Sequence, residues 1–131
     1  MGKMIIYSFM GELRWKRIYD TAEEDDGFRV LIDRLWPRGI SKADAQLGAW
    51  ARDVAPSAAL RSAYHRNETD YKTFAESYEK ELYDNDEMTK FIEEIKNKLK
   101  TGNVTLLYAS REPEHSQIPV LRSFIEKRLK E

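Results

Sequence analysis

The sequence predicts a single α/β domain: a mostly parallel sheet flanked by about five helices. Short apolar runs of strand length stand at residues 28–32 and 104–109, and stripes of helical period lie between and after them. The resulting order is strand, strand, helices, strand, helix, and strands joined through helices run parallel. With 131 residues the chain matches the usual size of one domain, and residues 1–131 show no repeat, linker or low-complexity segment.

Residues 1–10 contain Met4-Ile5-Ile6-Tyr7-Ser8-Phe9-Met10, too short for a signal h-region and without a small-residue cleavage site, so an edge strand or flexible arm is expected. Leu13, Trp15, Arg17 and Tyr19 alternate with Arg14, Lys16 and Ile18, an imperfect period of two that predicts the first strand. The acidic stretch 21–27 ends in Asp26-Gly27 and reads as a loop. Phe28 to Ile32 follows as a strand apolar enough to be covered on both faces, and Pro37 and Gly39 terminate it.

Ser41 with Asp44 resembles a capping box and predicts a helix through Leu47, Trp50, Ala51 and Val54, stopped by Pro56. Ser57 caps a second, short helix through Leu60 and Tyr64. Asp70 caps a third, whose Tyr71, Phe74, Tyr78 and Leu82 form an aromatic core stripe. A fourth begins at Asp86, buries Met88, Phe91, Ile92, Ile95 and Leu99, and ends at Thr101-Gly102. After the strand 104–109 a last helix carries Ile118, Leu121, Phe124, Ile125 and Leu129, with Ser116 as its cap and Pro119 in the first turn, where an amide has no intrahelical acceptor.

Lys plus Arg number 22 and Asp plus Glu 23, a net charge of −1, so no global field favours nucleic acid, and any anion binding must be local. No stretch approaches the ~20 apolar residues that span a bilayer. The absence of cysteine excludes disulfides, thiolate nucleophiles and cysteine-ligated metals, and fits a cytoplasmic address. Two isolated histidines, His65 and His115, make no metal motif, and nothing in the sequence calls for a cofactor: glycine-rich dinucleotide loops, P-loops, nucleophile elbows and zinc-protease helices are all missing.

Chemistry concentrates in Asp33-Arg34-Leu35-Trp36-Pro37-Arg38-Gly39, which follows a strand and is too charged for core. A second such strand end is Tyr108 to Glu112. Open parallel sheets bind ligands beyond the carboxyl ends of their strands. If the two strands are neighbours, Asp33, Arg34, Arg38, Tyr108, Ser110 and Arg111 converge on one crevice, at which the last helix also aims its N-terminal amides. Arg38 and Arg111 are the leading anion-binding candidates, because a guanidinium fork matches carboxylate or phosphate. Asp33 is a candidate general base if burial raises its pKa; equally, Asp33 and Arg34 read as a buried pair that locks the loop. Trp36 reads as packing or as a stacking platform. His65 reads as a general acid or base, or as a solvated helix-end histidine.

These residues resemble a known family. Lys16-Arg17-Ile18-Tyr19-Asp20, the block from Asp26 to Gly39, Ala55-Pro56-Ser57 with Leu60-Arg61, His65, and Thr105-Leu106-Leu107-Tyr108 together are similar to the YeaO-like branch of domain-of-unknown-function family 488. The resemblance runs from about Leu13 to Leu129. It implies a small cytoplasmic bacterial or archaeal α/β protein and carries no established activity. In more distant branches the position like Tyr108 is often cysteine, with a second cysteine near the start of the last helix; this chain has neither. Close relatives tend to place Asn-His-Ala where this chain has Ser116-Gln117-Ile118, so their histidine is absent here and no catalytic role carries over to Gln117.

Three functions follow as expectations. The first is an enzyme on a small anionic or phosphorylated substrate, with Asp33 or His65 handling a proton. The second is a non-catalytic module binding an anion or nucleotide in the same pocket. The third is a partner-binding adaptor, whose nucleic-acid version the near-zero charge disfavours. Oligomeric state is not legible.

Overall fold

A computed structural model describes residues 10–130 of the chain. The expected edge strand or arm over residues 1–10 therefore lies, apart from exposed Met10, outside the described residues. Four strands, β1 (Leu13–Arg17), β2 (Phe28–Leu31), β3 (Ala49–Trp50) and β4 (Val104–Tyr108), form one sheet in the order β1-β4-β2-β3. Every pairing is parallel, so all four strands deliver their carboxyl ends to the same edge. The helices are α1 (Lys42–Ala45), α2 (Ala58–His65), α3 (Tyr71–Tyr83), α4 (Asp86–Leu99) and α5 (Ile118–Leu129).

Neighbouring residues on β2 and β4 point to opposite faces, and the two faces carry separate cores. Val30, Val104 and Leu106 meet Tyr78 and Leu82 of α3, the apolar stripe of α4 and Leu121 and Ile125 of α5. Leu31 and Leu107 meet Ile18 and Ala45, with Trp36, Ile40, Leu47 and Trp50 packed around them. The near-continuous apolar runs of β2 and β4 follow from this, since both strands are covered on both sides. Burying one such leucine completely contributes about 2–3 kcal/mol.

The predicted helix from Ser41 to Val54 does not form as such. Ser41 caps it as expected, accepting the Asp44 N–H at 3.0 Å, but α1 is a single turn and ends where Gln46 turns left-handed at φ 49°. The chain then lays down β3 and a 3-10 turn, Arg52–Val54. Two tertiary demands override the helical pattern. Gly48 lies against the Phe28 ring, where a Cβ would come within 2.3 Å of a ring carbon, and Trp50 is needed beside β2. α2 and α3 start at their predicted caps, Ser57 accepting the Leu60 N–H and Asp70 the Thr73 N–H; α4 begins at Asp86 behind Asn85, and α5 has Gln117 rather than the expected Ser116 at its N-cap.

Four successive carbonyls, two at the end of the 3-10 turn and two between it and α2, each accept from a side chain elsewhere in the chain. Asn85 donates to Asp53 O at 2.8 Å, Tyr78 to Val54 O at 2.6 Å, and Arg34 to Ala55 O at 3.4 Å and Pro56 O at 2.8 Å. The buried carbonyls of Val54, Ala55 and Pro56 need such partners, so the irregular stretch between the turn and α2 is held firmly without a helix or strand. Glu81 adds a clamp at the next residue, accepting from both the Ser57 amide and its hydroxyl. No helix among the described residues is long and apolar enough to cross a membrane.

Candidate functional site

Asp33 stands one residue beyond the last β2-to-β4 ladder contact, made by Ile32 N–H to Leu107 O at 3.0 Å. Its carboxylate accepts the Ala109 N–H and the Gln117 side-chain amide, both at 2.8 Å, and its carbonyl accepts the Trp50 indole N–H at 2.7 Å. One residue thus joins the ends of β2, β3 and β4 to the start of α5. Burial pushes the Asp33 carboxyl above the usual aspartate range, against the opposing pull of those hydrogen bonds and of the Arg61 charge.

Arg34 does not pair with Asp33; its guanidinium is spent on the Ala55 and Pro56 carbonyls. Arg34→Ala is expected to cost about 1–3 kcal/mol in urea unfolding, because it strips donors from two partly buried carbonyls. Trp36 donates its indole N–H to Ile40 O at 2.6 Å and sets its ring edge-on to Trp50, with centroids 5.4 Å apart. Gly39 adopts φ 79°, which lets the Pro37-Arg38-Gly39-Ile40 turn close. The turn leaves the Arg38 side chain exposed, without a partner among the described residues.

The other strand end is organised by β1. Arg17 donates to Ala109 O at 2.7 Å and Ser110 O at 3.1 Å, and its guanidinium lies 4.8 Å from the Tyr19 ring centre. The Tyr19 hydroxyl in turn donates to Arg38 O at 2.8 Å, tying the two loops together through β1. The Ser110 hydroxyl accepts the Glu112 N–H at 3.2 Å, and Arg111 is exposed without a partner among the described residues. The Tyr108 phenol is raised by burial and then by the nearby Asp20 charge, which keeps it protonated.

α5 offers fewer amides to a ligand than its position predicts. The Ile118 N–H is taken by Ser116 Oγ at 3.1 Å and Pro119 has none. The capping position belongs to Gln117, whose side chain goes to Asp33 instead. His65 is exposed at the end of α2; burial and the Arg61 charge depress its pKa, so its imidazole is neutral at pH 7. The Tyr64 hydroxyl donates to His115 O at 2.8 Å and Tyr71 to Ser116 O at 2.9 Å, which brings α2 and α3 against the start of α5.

The chain pattern marks neither Arg61 nor Gln117, Arg17 and Tyr19 as site residues. The roles of Arg17 and Tyr19 come from the parallel order β1-β4-β2, which sets the ends of β1 and β4 side by side, and that of Gln117 from the start of α5, where its side chain reaches Asp33. A cleft of about 480 Å³ lies behind the loop, lined by Arg34, Ser57, Tyr78 and Glu81 among others, and of the predicted site residues it reaches only Arg34. Glu23, Asp25 and Asp26 bring three carboxylates together, but Asp26 is already bound to Lys16 and Arg29.

Together these features define a small all-parallel α/β domain with a polar rim, rich in arginine, along the carboxyl edge of its sheet. The chain belongs to the DUF488 family: the family described as "Inactive DUF488-N3 subclade" matches residues 12–131. It is 40% identical over 113 residues to the uncharacterized protein YeaO of Escherichia coli, covering 86% of this chain and 96% of that one. It is 37% identical over 116 residues to the uncharacterized protein Rv3073c of Mycobacterium tuberculosis, covering 88% and 95%. No solved structure gives a significant match.

Proposed function

We propose that this protein binds a small anion at the carboxyl edge of its sheet without turning it over. Arg38 and Arg111 are the primary contacts. The observation that supports this most is a division of labour among the polar residues of the two strand ends. Asp33, Arg34 and Trp36 spend their polar atoms on the protein itself, whereas the guanidinium groups of Arg38 and Arg111 have no partner among the described residues. The family description as an inactive subclade supports a binding role over turnover. The lack of cysteine fits a reducing, cytoplasmic setting.

The reading is tested by calorimetric titration with inorganic phosphate. The wild type is expected to bind, and Arg38→Ala and Arg111→Ala each to bind roughly tenfold more weakly, the loss of about one charge-assisted contact. Both substitutions are at exposed side chains and should leave the thermal midpoint unchanged. Wild-type affinity in both variants would refute the assignment.

One observation favours a second reading, an enzyme in which Asp33 takes a proton: its carboxyl is raised by burial. That reading requires an activity in the wild type that Asp33→Asn abolishes while phosphate binding persists.

A further inference from the structure

We propose that Arg61 is a further ligand-binding residue, the inner cation of the anion site, placed on α2 to receive a phosphate-type oxyanion beside Asp33 and His65. The inference rests on the anion-binding reading above and deepens it by naming a residue and a ligand chemistry.

Arg61 is partly buried, yet among the described residues its guanidinium makes no hydrogen bond and no ion pair. That combination is costly, because burial strips water from donors and a charge that nothing replaces. The other arginines around the strand ends and the loop avoid it. Arg17 is committed to the Ala109 and Ser110 carbonyls, Arg29 to Asp26 and Ala45, and Arg34 to Ala55 and Pro56. Arg61 alone among these four keeps its fork open.

The nearby groups explain why nothing among the described residues fills that fork. Asp33 is the carboxylate that feels the Arg61 charge, but its two oxygens are each already drawn to a donor, Ala109 N–H and the Gln117 amide. His65 lies one turn further along α2, hence on the same face, and as a neutral imidazole it supplies no negative charge. Tyr64 and Tyr71 hold α2 and α3 against the start of α5 by donating to the carbonyls of His115 and Ser116. What is missing is a set of acceptor oxygens bearing charge. A tetrahedral oxyanion provides both, in the two-pronged geometry that a guanidinium binds best.

The test uses the full-length protein and inorganic phosphate. By calorimetry, Arg61→Gln is expected to weaken phosphate binding at least tenfold, Arg61→Lys to recover part of the loss, and Arg66→Gln, at an exposed arginine just beyond α2, to bind as wild type. Proton NMR of the wild type adds a readout that needs no variant. Phosphate seated on Arg61 neutralises a charge that depresses His65, so saturating phosphate should raise the His65 pKa. An unmoved His65 titration, or full affinity in Arg61→Gln while Arg38→Ala and Arg111→Ala lose theirs, overturns the assignment of Arg61 and leaves the anion site standing. No phosphate binding by the wild type overturns the anion site itself.

Discussion

Asp26→Ala is expected to lower the unfolding free energy by about 3–5 kcal/mol, the range for breaking one side of a buried ion pair. Asp26 and Arg29 are 3% and 5% exposed, so the charges face each other with almost no water. Arg29 directs Nη1 to Asp26 and its other nitrogens to Ala45 O, while Lys16 reaches both Asp26 oxygens at 3.0 and 3.1 Å. Deleting the carboxylate would leave two cations close together beneath the sheet. Gly27 follows at φ 67°, where a Cβ would meet Asn103 O at 2.2 Å, so the turn cannot easily move to compensate.

The pH dependence of this network has a definite sign. Burial alone would raise the Asp26 carboxyl, but hydrogen bonds from the Glu23 backbone, Lys16 and Arg29 outweigh it and hold the pKa below the ordinary 3.8. The folded state therefore binds the proton less readily than the unfolded chain. The stabilisation is present above pH 3.8 and is lost as pH falls through the lower folded value. Denaturant unfolding between pH 2 and 7 should show this acid slope in the wild type and lose it in Asp26→Asn. Asp25→Ala, which removes an exposed partner of Arg14, should cost no more than about 1 kcal/mol.

Asp33→Ala is expected to cost about 2–3 kcal/mol, because it leaves the Ala109 N–H and the Gln117 amide without their acceptor. Asp33→Asn should cost roughly 1 kcal/mol or less: its oxygen can keep the Ala109 bond, and Gln117 can turn its amide to accept from the new NH₂. The linkage runs opposite to that of Asp26. Burial raises the Asp33 carboxyl, so the folded state holds this proton more tightly than the unfolded chain. Its contribution is fully present below pH 3.8 and is lost as pH rises through the raised folded value. Asp33→Asn should remove that decline. The two aspartates therefore act in separate pH windows, and comparing the two Asn variants resolves them.

The fold class was legible because β2 and β4 are buried on both faces and the stripes of α3, α4 and α5 are long and regular. The segment after Ser41 was not, since Leu47, Trp50, Ala51 and Val54 fall at helical spacing although tertiary contacts draw Trp50 into β3. Gly48 was the local sign against a long helix, as glycine weakens a helix interior. At the site, the meeting of Asp33 with Ala109 could be anticipated once β2 and β4 were taken as neighbours. The partners of Arg34 could not: they are carbonyls more than twenty residues away, in a segment without periodicity. Arg61 stood in the family-like Leu60-Arg61 pair, but that its guanidinium has no partner among the described residues is a property of three-dimensional surroundings and leaves no mark in spacing.

The polar residues at the two strand ends divide into those that hold the loop, such as Arg34, and those that hold an anion, Arg38 and Arg111. Thermal unfolding of wild type, Arg34→Ala and the double variant Arg38→Ala/Arg111→Ala, each with and without saturating inorganic phosphate, tests that division most directly. The account predicts that Arg34→Ala lowers the midpoint without phosphate and keeps the phosphate-induced rise, while the double variant keeps the wild-type midpoint and loses the rise. A phosphate rise that survives in the double variant, or that disappears in Arg34→Ala while its fold remains intact, would contradict it.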